Sequence, residues 1–180
     1  TITVHPLPVI TSASFATQSL CISSTASSMT ASATTATGSI ASYQWFSNTA
    51  NFNTGGTALA GKTAATFTPP TTAVGTLYYY VQLSFATGGC TTVTSNPAKI
   101  EVDAVTLTEI DTSRKNILCY GEATGNISVE GTGGTKQYTF SLTGTDYTGA
   151  AVSLTSGPTN LNLFSFATLK AGQYVLSLTE

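Results

Sequence analysis

Between residues 125 and 142 apolar and polar positions alternate. Ile127 and Val129 are interleaved with Asn126, Ser128 and Glu130, and after a glycine-rich gap Tyr138, Phe140 and Leu142 are interleaved with Thr139 and Ser141. A period of two is the mark of a half-buried strand, so Gly131 to Thr135 reads as the turn of a β-hairpin. The alternation recurs upstream. Met29, Ala31 and Ala33, then Tyr43 and Trp45, then Leu77, Tyr79, Val81, Leu83 and Phe85, then Ile100 and Val102 supply inward faces. Trp45 is expected at the centre of a sandwich core; a sugar-stacking platform is the competing reading, outweighed by its place in the strand pattern. Tyr78 and Tyr80 have the opposite parity from Tyr79 and are expected on the outer face. There they form either a contact site or a solvated surface of strand-favouring residues.

These elements repeat. Trp45 follows Cys21 by 24 residues and Phe140 follows Cys119 by 21, while Tyr79 and Tyr174 follow the same two cysteines by 58 and 55. The two cysteines are 98 residues apart, and stepping back by that length from Val102 lands on Val4. A period of about 100 residues with turn signals every 8–12 residues fits a string of immunoglobulin-like β-sandwiches. The expected organisation is all-β: residues 1–5 as the last strand of a preceding repeat, residues 6–103 as one sandwich, and residues 104–180 as a second, truncated at its C-terminal end. Pro6-Leu7-Pro8 reads as an extended spacer. The stretch from Ile100 to Leu107 has neither Gly nor Pro, so one strand runs almost directly into the next domain and an elongated, stiff array is expected.

Composition narrows the function. Only 8% of the 180 residues are charged, the net charge is −2, and Ser and Thr make up about a third of the chain, far above ordinary usage. From Thr1 to Ile100 the only charged residues are Lys62 and Lys99, so the surface there must be covered by hydroxyls on strands and loops rather than by charged helix faces. Nucleic acid is excluded as a partner, because phosphate binding needs clustered Lys and Arg and here only Arg114 and Lys115 are adjacent. Membrane insertion is not expected either, since runs such as Leu77 to Val81 fall far short of the ~20 apolar residues that span a bilayer.

Reactive chemistry is sparse. His5 is the only histidine and lies in a spacer, so no nucleophilic site has a base within the folded units. The acidic residues fall mostly between strands or at domain ends, which makes a carboxylate-pair hydrolase a poor fit. Three dispersed cysteines do not make a zinc site. Gly131-Thr132-Gly133-Gly134 precedes a strand rather than a helix and is a turn, not a phosphate loop. Asn126-Ile127-Ser128 has the form of a glycosylation sequon, but its strand setting argues for coincidence. No catalytic residue, metal or cofactor is expected.

Cys119-Tyr120-Gly121, Gly125-Asn126-Ile127-Ser128-Val129, Gly133-Gly134-Thr135 with Tyr138-Thr139-Phe140, and Leu169-Lys170-Ala171-Gly172-Gln173-Tyr174-Val175-Leu176 resemble the SprB-type repeat of giant Bacteroidetes gliding-motility surface adhesins. The resemblance covers most of residues 105–180. It is imperfect: Thr124-Gly125 stands where the family often has Asp-Gly, and Glu180 where an Asp is usual. The first unit, with Tyr43-Gln44-Trp45-Phe46, Tyr78-Tyr79-Tyr80-Val81 and Ser95-Asn96-Pro97, is similar to the immunoglobulin-like repeats of such proteins. The resemblance implies export by the type 9 secretion system and display at the cell surface. It further implies a non-catalytic stalk whose partners are neighbouring repeats of the same chain and an extracellular polysaccharide or surface. The alternative is a carbohydrate-binding accessory module of a secreted enzyme.

An extracellular setting favours oxidised thiols. The repeat alignment places Cys21 and Cys90, 69 residues apart, in one unit as an expected disulfide worth about 4 kcal/mol less any strain. Cys119 is then either half of a bridge whose partner falls beyond residue 180, or a buried reduced cysteine acting as a small hydrophobe.

Overall fold

A computed structural model of the chain describes residues 8–11, 15–34, 39–86, 92–110, 115–117 and 119–180. The expected strand at residues 1–4, most of the Pro6–Pro8 spacer and Cys90 lie outside the described residues. Every regular element within them is a β-strand. The chain forms two compact units, one ending at Val102 and the other beginning at Asp103.

The first unit contains β1 (Val9–Thr11), β2 (Gln18–Cys21), β3 (Met29–Thr30), β4 (Ser32–Thr34), β5 (Ile40–Asn48), β6 (Thr57–Ala58), β7 (Thr66–Phe67), β8 (Gly75–Phe85), β9 (Thr92–Thr94) and β10 (Ala98–Asp103), the last ending one residue past the boundary. Its main sheet runs β2-β10-β8-β5-β6, with β9 also paired to β8; β3 pairs with β7 and β1 with β4. The inward parity expected from the sequence holds at the centre: Met29, Ala31, Trp45, Tyr79, Val81, Leu83, Ile100 and Val102 are buried together. Leu77, at the rim, is 38% exposed. Trp45 is fully buried between Phe15 and Phe67, with ring centroids 6.0 and 5.2 Å away. Its indole N–H donates to the Ala64 carbonyl at 2.9 Å, which satisfies the one polar atom that burial would otherwise penalise.

The second unit contains β11 (Thr106–Glu109), β12 (Gly125–Thr132), β13 (Tyr138–Asp146), β14 (Ala151–Thr159), β15 (Leu163–Leu169) and β16 (Gly172–Thr179). These form two three-stranded sheets, β11-β12-β15 and β14-β13-β16, and their inner faces share one core of Val129, Tyr138, Phe140, Leu142, Phe166 and Leu169. The expected hairpin is absent. β12 pairs with β11 and β15, and β13 with β14 and β16, so residues 133–137 carry the chain from one sheet to the other. Gly133 and Gly134 adopt φ of +83° and +62°, and Lys136 +66°, a left-handed run that turns the chain across the sandwich instead of back along the same sheet. Tyr138 donates its hydroxyl to the Gly133 carbonyl, and the Glu180 carboxylate accepts from the Lys136 backbone N–H, so the crossing is tied down from inside and outside.

The outer face of β14-β13-β16 follows from register. Thr139, Ser141, Thr143 and Thr145 alternate with buried residues on β13. They stand opposite Thr179, Ser177, Val175 and Gln173 on β16, and Ser141, Thr143 and Thr145 also face Thr155, Ser153 and Ala151 on β14. The residues paired across this face are rich in hydroxyls and carry no charge.

Candidate cleft and exposed tyrosine pair

A cleft of about 490 Å³ opens in the second unit between the start of β12, residues 115–117 and the turn from β15 into β16. Its form has a local cause. A Cβ on Gly125 would come 2.8 Å from the Leu169 carbonyl oxygen, so only glycine allows β12 and β15 to approach this closely. The register then shifts between Gly125 and Ile127, which re-aims the side chains as bulges do. Lys115 and Asn126 exchange two backbone hydrogen bonds of 3.0 and 3.1 Å and bring residues 115–117 alongside. The apolar floor is Ile117, Ile127, Leu169 and Leu176; Glu109, Lys115, Asn116, Asn126, Lys170 and Tyr174 supply polar groups.

The turn at one side of the cleft is built on Asp146. Its Oδ1 accepts from the Thr148 hydroxyl and backbone N–H and from the Ala150 N–H, the last two at 2.9 and 3.0 Å. Lys170 lies 3.6 Å from Oδ2. The Thr148 hydroxyl first, then the two backbone donors and Lys170, hold this carboxyl below its ordinary range against the opposing effect of burial. Tyr174 donates its hydroxyl to the Lys170 carbonyl at 2.8 Å, and burial first, then the nearby Asp146 charge, raise its pKa. The phenol therefore stays protonated and keeps donating.

Beside the cleft stand two aromatic rings that the sequence reading passed over. The Tyr147 backbone N–H donates 2.7 Å to the carbonyl of Ala171, which lines the cleft. Tyr120 packs edge-on against Tyr147, with ring centroids 5.0 Å apart and planes at 62°, and is 93% exposed. It sits in a turn closed by a Glu122 N–H to Cys119 carbonyl hydrogen bond of 3.3 Å, with Gly121 at φ +89°. Cys119-Tyr120-Gly121 entered the sequence reading only through the SprB-type resemblance. Nothing local in the chain showed that Tyr147, 27 residues on, would meet it.

The tyrosine pair expected at the surface is not there. Tyr78 lies half-buried on the outer face, opposite Lys99. Tyr80 shares its parity but is only 4% exposed. Its ring stacks on Phe46 at 5.0 Å and 3°, and its hydroxyl accepts the Gly56 N–H at 3.0 Å. The link between β5 and β6 folds back over the sheet, and a Cβ on Gly56 would come 2.9 Å from the Tyr80 ring. Parity correctly assigned the face; a loop of glycine and short polar residues then covered it.

Cys119 is exposed, which removes the reading of it as a buried hydrophobe. Cys21 is half-buried at the end of β2, whereas Cys90 lies outside the described residues. Among the described residues no group of three or more His, Cys, Asp or Glu is placed to hold a metal.

Residues 11–104 match the model of a family described as a domain of unknown function (DUF8696). No curated protein matches the chain. Among solved structures, the fibronectin(III)-like modules of Clostridium thermocellum CbhA are 16% identical at a TM-score of 0.36, covering 94% of this chain and 84% of that one. Carbohydrate-binding modules of the β-sandwich superfamily are 12% identical at a TM-score of 0.31, covering 98% and 85%. Both likenesses are too slight to carry an argument.

Proposed function

Since the chain belongs, through residues 11–104, to the family described as a domain of unknown function (DUF8696), its role has to be read from its own residues, and we propose that it is a non-catalytic segment of a large secreted cell-surface adhesin. It serves as a stiff spacer that holds an adhesive part away from the cell, in gliding or attachment. The observation that carries this reading is the pairing of two separately cored all-β units with outer surfaces dressed in neutral hydroxyls. Such units are suited to repetition in a row. The resemblance of residues 105–180 to SprB-type repeats supports export by the type 9 secretion system. The junction supports stiffness: only Ala104 and Val105 separate β10 from β11, and neither is a flexible residue.

Small-angle scattering of the 180-residue chain tests the spacer. A pair-distance distribution with a long tail is expected; a symmetric, single-peaked distribution of a compact particle would sink the reading. Surface display is tested by antibodies to this segment on intact cells, which label the outside if the proposal holds and label only after permeabilisation if it fails.

A further inference from the structure

We propose that the cleft of the second unit, together with the exposed Tyr120 on the turn that precedes β12, binds a neutral glycan chain. The inference goes beyond the spacer reading and does not depend on it: a spacer that binds no glycan would leave the scattering result intact. Three observations converge. The cleft, at about 490 Å³, lies in the size range of small-ligand sites. Its lining sets an apolar floor, Ile117, Ile127 and Leu176, against the amides of Asn116 and Asn126. A pyranose ring has the matching duality, with C–H groups on its faces and hydroxyls around its edge that both donate and accept. Each amide offers a carbonyl acceptor and an NH₂ donor, so it can meet a sugar hydroxyl in either sense.

The third observation is the exposed ring. An aromatic side chain 93% in water presents a ring face that folding has not used, and a tyrosine with one apolar face and one polar tip suits a binding surface. Tyr147 holds the Tyr120 ring edge-on, which limits its freedom before any ligand arrives and lowers the entropy lost on binding. Tyr147 is tied by its backbone N–H to Ala171 in the lining and packs against the Tyr120 ring, so a glycan that extends past Ala171 has an exposed aromatic face within reach to stack on. Charge decides for a neutral ligand. Among the described residues the lining sets Lys115 and Lys170 against Glu109, and Asp146 stands 3.6 Å from Lys170, a balance that favours an uncharged ligand over a polyanion.

Affinity electrophoresis of the 180-residue chain through gels containing dextran, galactomannan, hydroxyethyl cellulose or alginate tests the site. Retardation by at least one of the three neutral polymers and none by alginate is expected. Tyr120→Ala should weaken that binding at least tenfold, about 1.4 kcal/mol, with an unchanged circular dichroism spectrum and melting temperature, because the side chain supports no core. Tyr120→Phe, which keeps the stacking face, should retain it. Retardation by none of the neutral polymers, retardation by alginate alone, or binding by Tyr120→Ala equal to that of the parent chain would each overturn the proposal.

Discussion

Single side chains carry much of the stability, and their roles differ in how far local sequence reveals them. Trp45 was readable because strand parity, aromatic size and position in the repeat all pointed inward, and it is fully buried with its N–H satisfied. Trp45→Ala should cost about 3–5 kcal/mol, as large aromatic truncations in cores do, measured by urea unfolding followed by circular dichroism. Asp146 was not readable, since a carboxylate at a strand end says nothing about the three donors it collects. Its folded pKa lies below the ordinary value, so its contribution is complete above the unfolded-state value of about 4 and is lost as pH falls through the folded value. The second unit should therefore lose melting temperature in acid below about pH 4, and Asp146→Asn should flatten that decline. A decline equally steep in Asp146→Asn would rule the turn out as its source.

Strands were legible and their partners were not, for a physical reason. Alternation reports which side of a strand is buried, a property of each segment alone, whereas pairing depends on where a turn sends the chain next. β12 and β13 have the spacing of a hairpin, yet three left-handed residues, Gly133, Gly134 and Lys136, send the chain across the core. The same gap explains Tyr80. Its outward parity was correct, but the covering loop turns on Gly56, where a Cβ would meet the Ser47 carbonyl oxygen at 2.7 Å as well as the Tyr80 hydroxyl at 2.8 Å. Gly56→Ala is expected to destabilise the first unit by about 1–3 kcal/mol through overpacking, read from the shift in urea midpoint; no shift would mean the loop does not hold this position in solution. The cleft was the least legible feature, because Asn116, Asn126 and Lys170 come from three separate stretches that meet only in the folded unit.

The two units have separate cores that share no residue, so each should unfold as its own cooperative block. Differential scanning calorimetry of the whole chain should resolve two transitions, and Trp45→Ala should lower one and leave the other in place; a shift of both by the same amount would show that the blocks are coupled. The hydroxyl face of β14-β13-β16 has a further consequence, in how the protein responds to salt. Raising sodium chloride from about 0.01 to 1 M shortens the Debye length from roughly 30 to 3 Å, which erodes any surface held together by ion pairs. Here the hydrating groups across that face are dipoles of Ser and Thr, whose hold on water no counterion shields. Brine and dilute buffer should thus look nearly alike to this surface.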